Sequence, residues 1–193
     1  MDFDKGTHVI HFMGDISTAS VQNFRNVAWG LAFGDEKASQ LYIEFSSFGG
    51  AVSEAFVMAQ IVMEMPIPVT ICNVGDTNSS AIIPYLAAEE RLVVPHSKFL
   101  VHGLTASLGN VAQTTPEIEE KMDSLRLNVQ RYADFFNERT EGAKAPINVL
   151  DCLLGNAKVL DAAGAVDAGV ANGIIRTADL AAAGGHYVIA TTG

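Results

Sequence analysis

Val69-Thr70-Ile71-Cys72-Asn73-Val74-Gly75-Asp76-Thr77-Asn78-Ser79-Ser80-Ala81-Ile82-Ile83 carries the most telling local pattern in the chain. Val69 to Val74 is rich in β-branched residues, which predicts a strand, and Gly75 ends it in a turn. A helix is expected roughly from Ser79 to Ala88. A strand that passes through a short turn into a helix is the repeating unit of an α/β sheet with mainly parallel pairing.

Working outward, the same alternation recurs. His8-Val9-Ile10-His11-Phe12 predicts a strand ended by Gly14, and Val21, Phe24, Val27, Ala28 and Leu31 mark a helix over 17–33 with Ser17 as N-cap. Gln40 to Phe45 predicts a strand that runs into the Gly49-Gly50 turn. Val57, Met58, Ile61, Val62 and Met65 mark a second helix from Ser53, stopped before Pro66. Leu92 to Val94 and Phe99-Leu100-Val101 read as further strands, the second delivering His102.

Residues 103–114 read as a polar loop. A long helix follows, with Thr115 as N-cap and Pro116 at the first helical position. Ile118, Met122, Leu125, Val129, Tyr132 and Phe136 step along it by three and four, a narrow stripe suited to packing on another helix, in this chain or in a second subunit. After the Gly142–Pro146 breaker come a short helix to Leu154, a turn, and an Ala-rich helix from Asp161. The tail, about 184–193, has no assignable role, and there is no internal repeat.

The chain has 193 residues, a size that suits one domain burying roughly 70% of its unfolded surface. Hydrophobic residues make up 49% and charged residues 18%, a globular balance. A net charge of −10 argues against nucleic acid as partner, because phosphate binding relies on Lys and Arg to release counterions. Cys72 and Cys152 each lie in apolar surroundings and are expected to be free thiols in a reducing compartment. No basic segment leads into an apolar core at the N-terminus, and no apolar run approaches the ~20 residues that span a bilayer. A cytoplasmic protein without membrane contact is expected.

A serine hydroxyl is a weak nucleophile until a neighbouring base takes its proton, and histidine suits that task near neutral pH. Ser79, placed at a strand-to-helix turn, would expose its oxygen beside the first N–H groups of the helix, which can face a developing negative charge. His102 follows 23 residues later, and the Gly49-Gly50 loop can bring backbone donors close. Each signal has a plainer structural reading: an N-cap serine, a polar strand-end histidine, a Gly-Gly turn. No metal-ligand spacing, dinucleotide fingerprint or phosphate loop is present, so no cofactor is called for.

Taken in order, these residues resemble the proteolytic subunit of the Clp protease, the ClpP family, and most nearly its phage- and plasmid-type relatives, from about Gly14 to Ile175. Phe12-Met13-Gly14-Asp15-Ile16 is similar to the family's opening Phe-x-Gly-x-Ile. Tyr42 to Gly50 is similar to its strand followed by Ser-Pro-Gly-Gly, with Phe48 in place of the proline. Gly75 to Ser79 has the spacing of its Gly-x-Ala-Ala-Ser, with Asp76-Thr77-Asn78 replacing the small residues. Ala87 to Arg91, Pro95 and His102 follow without gaps.

The resemblance implies one ClpP/crotonase-like α/β domain over 1–193, built from repeated strand-helix units. A protruding handle helix would lie within about 103–140. It further implies Ser79 as nucleophile, His102 as base, and the N–H groups of Gly50 and Ser80 as the oxyanion hole. Using Ser80 as nucleophile instead would break the register by one residue. The expected activity is serine endopeptidase cleavage of peptides or unfolded proteins by Ser–His acyl transfer, inside a homo-oligomeric ring, heptameric or stacked.

The family's acidic positions fall on Gly155 and Ala157, neither of which can orient a histidine. Asn156 is the candidate third member, as an amide serves in cysteine proteases; Asp151 and Asp161 are the nearby carboxylates, with plain readings as a helix acid and an N-cap. The alternative expectation is a catalytically impaired ClpP-like structural or interaction subunit, and a third is acyl-CoA binding as in the wider fold superfamily. The chain starts just before its first strand, too close to it for the family's axial segment, which argues against an ATPase partner.

Overall fold

The structure, a computed structural model, describes residues 3–34, 37–105, 112–176 and 178–190. Part of the 103–114 loop and the end of the 184–193 tail lie outside the described residues.

Among the described residues eight strands form one sheet: β1 (Thr7–Met13), β2 (Gln40–Ser47), β3 (Val69–Asn78), β4 (Glu90–Val93), β5 (Lys98–Val101), β6 (Lys158–Asp161), β7 (Gly173–Ile174) and β8 (Gly185–Ala190). The main path runs β6-β5-β3-β2-β1-β8, with β4 also on β3 and β7 on β4. Every pairing is parallel except β5 with β6. The central strands are buried on both faces, as parallel strands covered by helices must be. In β2, Leu41, Tyr42, Ile43 and Phe45 are all sequestered.

The helices are α1 (Thr18–Phe33), α2 (Val52–Met63), α3 (Ile82–Ala87), α4 (Thr115–Arg139), α5 (Val149–Leu153) and α6 (Ala162–Asp167). Val21, Phe24, Ala28 and Leu31 form the inner face of α1, and the Ser17 hydroxyl accepts from the Ser20 N–H at its start, as its sequence pattern predicts. Burial of each large side chain of this kind contributes about 1.5–3 kcal/mol.

Several local expectations need correction, among them the turn expected after Leu154, where Lys158–Asp161 forms β6. β3 does not end at Gly75 but continues to Asn78. The pairing of β2 with β3 shifts register between Phe45 and Ser47, where a side chain on Gly75 would press on Ser46 Oγ at 2.8 Å. Glycine therefore carries the strand through an irregularity instead of stopping it. The next helix opens with a 3-10 turn, Ser79–Ala81, before α3. The cap of α4 is Thr114, one residue earlier than expected, with Pro116 in the first turn; the Thr114 N–H and hydroxyl both donate to Glu117 Oε2, at 2.7 and 2.8 Å. These bonds, the backbone one foremost, hold the Glu117 carboxyl below its usual range. The tail, read as roleless, supplies β8, which pairs with β1 over His8–Met13.

The α4 stripe is only partly core. Tyr132, Ala133 and Phe136 near its end are buried, whereas Ile118 and Met122 near its start are exposed.

β3 also forks the sheet. Thr70–Asn73 pair with β4 and Asp76–Asn78 with β5. Asn73 sits fully buried at the branch, its Nδ2 donating to Lys98 O at 3.0 Å and its Oδ1 accepting from the Gly75 N–H at 3.0 Å.

Candidate active site

Ser79 leaves the carboxyl end of β3 with φ +56°, the one positive φ outside glycine among the described residues. An L-residue in this region carries a cost of order 1–2 kcal/mol, and such outliers cluster where side chains are held for function. The conformation is anchored from behind by Tyr132 on α4, whose hydroxyl donates to Ser79 O at 2.8 Å. Ser79 is half-buried, whereas the competing Ser80 is fully buried with its hydroxyl donating to Gly50 O at 3.0 Å.

The Gly49-Gly50 loop packs directly on this turn. Gly49 has φ +101°, and a Cβ there would lie 2.8 Å from Ser79 Cβ and 3.0 Å from Asn78 O. Gly50 has φ +148°, and a Cβ on it would collide with Ile16 O. The Ile16 N–H donates to Gly49 O at 2.8 Å, and the Ala51 N–H donates to Ile16 O at 2.9 Å. That pattern skips the N–H of Gly50, which donates to no other group among the described residues. Ser80, in the first turn of its helix, likewise has an N–H with no intrahelical acceptor. Phe48, just before the glycines, is 70% exposed.

His102 follows β5, which pairs in parallel with the last residues of β3, Asn78 opposite Leu100. Ser79 and His102 therefore stand at the carboxyl ends of adjacent parallel strands, where α/β sheets place their ligands. Among the described residues neither His102 ring nitrogen has a hydrogen-bond partner, and none joins it to Ser79. Catalytic hydrogen bonds are often long before substrate binds.

On the other side of β5, Val101 is opposite Lys158 of antiparallel β6, so the turn 155–157 adjoins His102. Asn156 lies in this turn, with its amide donating to Asp151 Oδ1 at 2.8 Å. Asp161 caps α6, accepting from the Gly164 N–H at 2.7 Å. Asp76 pairs with Lys98 at 3.1 Å across the β3–β5 ladder, so the extra charge beside the turn is partnered. Two buried polar atoms in this region, Thr77 Oγ1 and Asn78 Oδ1, have no partner among the described residues.

Tyr132 and Asn73 are the residues near the site that the sequence reading missed. Tyr132 reads as one more apolar step on a long helix, 53 positions away from Ser79. Asn73 had a signal, a lone amide amid apolar strand residues, but nothing in the sequence marks the branch it holds.

No group of three or more His, Cys, Asp or Glu among the described residues is placed to hold a metal ion. Among the described residues no helix is long and apolar enough to cross a membrane. A concavity of about 670 Å³ bounded by Met63, Pro66, Glu89, Glu90 and Arg139 lies at the amino ends of β3 and β4, the opposite end from Ser79.

The sequence profile of the family described as Clp protease matches residues 7–178, nearly the whole chain up to the segment before β8. No curated protein sequence matches significantly. Among solved structures the chain is similar to an asparagine-to-aspartate variant of ClpP1 from Listeria monocytogenes, with a TM-score of 0.73 and 19% identity over 89% of this chain and 92% of that one. At that identity the structural likeness speaks for the fold alone, and it agrees with the α/β architecture expected from the sequence. The chain belongs to the Clp protease family.

Proposed function

We propose that this chain is a serine endopeptidase of the ClpP type, with Ser79 as nucleophile and His102 as general base. The observation that carries the reading is the strained, half-exposed Ser79 held against a glycine loop whose Gly50 N–H has no acceptor among the described residues. In the first step Ser79 Oγ bonds to the scissile carbonyl carbon while His102 takes the hydroxyl proton. The N–H groups of Gly50 and Ser80 receive the carbonyl oxygen as it gains charge. The C–N bond then breaks, His102 returns the proton to the leaving amine, and water, deprotonated by His102, hydrolyses the ester on Ser79. Asn156 Oδ1 serves as third member, accepting the imidazole Nδ1–H.

Peptides and unfolded proteins are the substrates of this reading, and a homo-oligomeric ring, heptameric or stacked, in the cytoplasm is its setting. The exposed start of the α4 stripe at Ile118 and Met122 fits a contact between subunits. An ATPase partner is no part of the proposal. Labelling by a fluorophosphonate probe tests the chemistry: intact protein should label and Ser79→Ala should not. The lack of a partner for His102 among the described residues, with Gly155 and Ala157 at the acid positions, favours a second reading, a catalytically impaired structural subunit. Inertness toward both probe and peptides would select it.

A further inference from the structure

The two side chains that the sequence offers as rival third members form one unit. Asn156 Nδ2 donates to Asp151 Oδ1 at 2.8 Å, and the Asn156 N–H donates to Asp151 O at 3.1 Å. The Asp151 N–H in turn donates to Asn148 Oδ1 at 3.2 Å at the start of α5, which fixes the carboxylate's own backbone. The pairing decides which end of the amide is available. An amide offers an acceptor oxygen at one end and two N–H donors at the other, whereas an ionised carboxylate only accepts. Asp151 therefore engages the NH2 end and leaves Asn156 Oδ1 outside the pair. An imidazole that must take a proton from serine at Nε2 carries its hydrogen on Nδ1, and it needs an acceptor there.

The backbone brings this unit beside the histidine. With Val101 opposite Lys158, the next residues along the two antiparallel strands are His102 and Ala157, and Asn156 follows directly. Gly103 lets the end of α5 come close, since a Cβ at that position would lie 3.2 Å from Leu153 O. We infer that Asp151 is a positioning residue, which acts through Asn156 by holding the amide with its oxygen free for His102. The carboxylate also polarises the amide, strengthening that oxygen as an acceptor when the imidazole gains charge. The inference rests on the reading of Ser79 and His102 as nucleophile and base.

The test compares wild type, Asp151→Asn, Asn156→Asp and the double variant that swaps the two side chains. Fluorophosphonate labelling rates and steady-state peptide hydrolysis are measured, with thermal midpoints to check folding. Asp151→Asn should lower kcat and labelling by about 10- to 100-fold, the scale of a misplaced catalytic group, with KM unchanged. Asn156→Asp alone sets two carboxylates against each other and should not restore the pair. The swap rebuilds the amide–carboxylate bond with a carboxylate at position 156 and should return activity to wild-type level or above. A merely structural Asp151 would not be rescued by the swap. Wild-type labelling with an unchanged rate in Asp151→Asn, or a swap as slow as Asp151→Asn, overturns the positioning role alone. Absence of labelling in both wild type and the swap overturns the nucleophile reading, and the inference with it; a swap that labels where wild type does not keeps Ser79 as nucleophile and overturns the positioning role, because the native amide then does not serve His102.

Discussion

Adding one methyl group to Gly49 should damage stability and chemistry together, and Gly142→Ala separates the causes. Gly142 has φ +80° with nothing within 4 Å of its would-be Cβ, so alanine there bears only the backbone cost, about 1–2 kcal/mol. Gly49 has φ +101° and a would-be Cβ 2.8 Å from Ser79 Cβ and 3.0 Å from Asn78 O. Neither neighbour is a flexible side-chain end, because Tyr132 anchors Ser79 O and Asn78 belongs to the β3 ladder. Overpacking of that kind adds about 1–3 kcal/mol, for a total of about 2–5 kcal/mol. For a chain of this length each kcal/mol lowers the melting midpoint by about 2–4 °C. Scanning calorimetry at one fixed protomer concentration should place Gly49→Ala clearly below Gly142→Ala. If Ser79 yields to the methyl group by even about 1 Å, fluorophosphonate labelling should fall about 100-fold in Gly49→Ala and stay at wild-type rate in Gly142→Ala. Equal midpoints and equal labelling for the two variants would refute the claim that the glycine loop sets the position of Ser79.

The φ of +56° at Ser79 predicts that Ser79→Gly unfolds at a denaturant concentration no lower than Ser79→Ala, because glycine sheds a backbone cost of about 1–2 kcal/mol against an entropic loss of about 0.5–1. Asn73→Val removes both partners at the sheet's fork, leaving the Gly75 N–H and Lys98 O without it, and should cost at least about 2 kcal/mol by urea titration. Arg91, 7% exposed, spreads its guanidinium over the carbonyls of Ala88, Val170, Gly169 and Arg139, so Arg91→Lys, a point charge, should fail to restore the stability that Arg91→Ala loses. Burial pushes the Cys72 thiol from 9.0 up to about 11, and it raises the adjoining Tyr42 as well. The folded state then keeps protons that the unfolded chain releases. This contribution is complete below pH 9 and lost as the pH climbs through 11, by a few kcal/mol at most, on the order of 3, for Cys72. Denaturant titrations across that range should show the decline, and Cys72→Ala should make it shallower.

Much of this architecture was legible because its signals are local. The apolar spacing of α1 and its Ser17 cap, the β-branched start of β3 and the breaker at Pro66 each act within one turn or one strand. That Ser79 and His102 each follow a strand was legible too, from the β-branched and apolar runs before them. What escaped depends on distant partners. β3 outruns Gly75 because Ser46 and the register shift lie on another strand. β6 looked like a turn, since Lys158–Asp161 has only one buried residue, Leu160, and gains its identity from β5. β8 carries an alternating pattern too weak to stand alone, and it exists because β1 offers an unpaired edge. The link between Asp151 and Asn156 joins residues five apart across the end of a short helix, where spacing alone treats them as competitors.

The fork in β3 gives the candidate machinery two supports within one sheet. Ser79 and His102 both hang from the branch made by Asp76–Asn78 and β5, whereas Gly49-Gly50 continues from β2 in the trunk. A shift of the branch about Asn73, limited by the Ser47–Thr77 pairing, would carry the proposed nucleophile, base and Ser80 N–H together and change their spacing from the Gly50 N–H alone. In hydrogen-exchange terms, the amides of Thr70–Asn73 and of Asp76–Asn78 should open with different protection within a single strand, so the spacing of Ser79 from the Gly50 loop would have a local stability of its own.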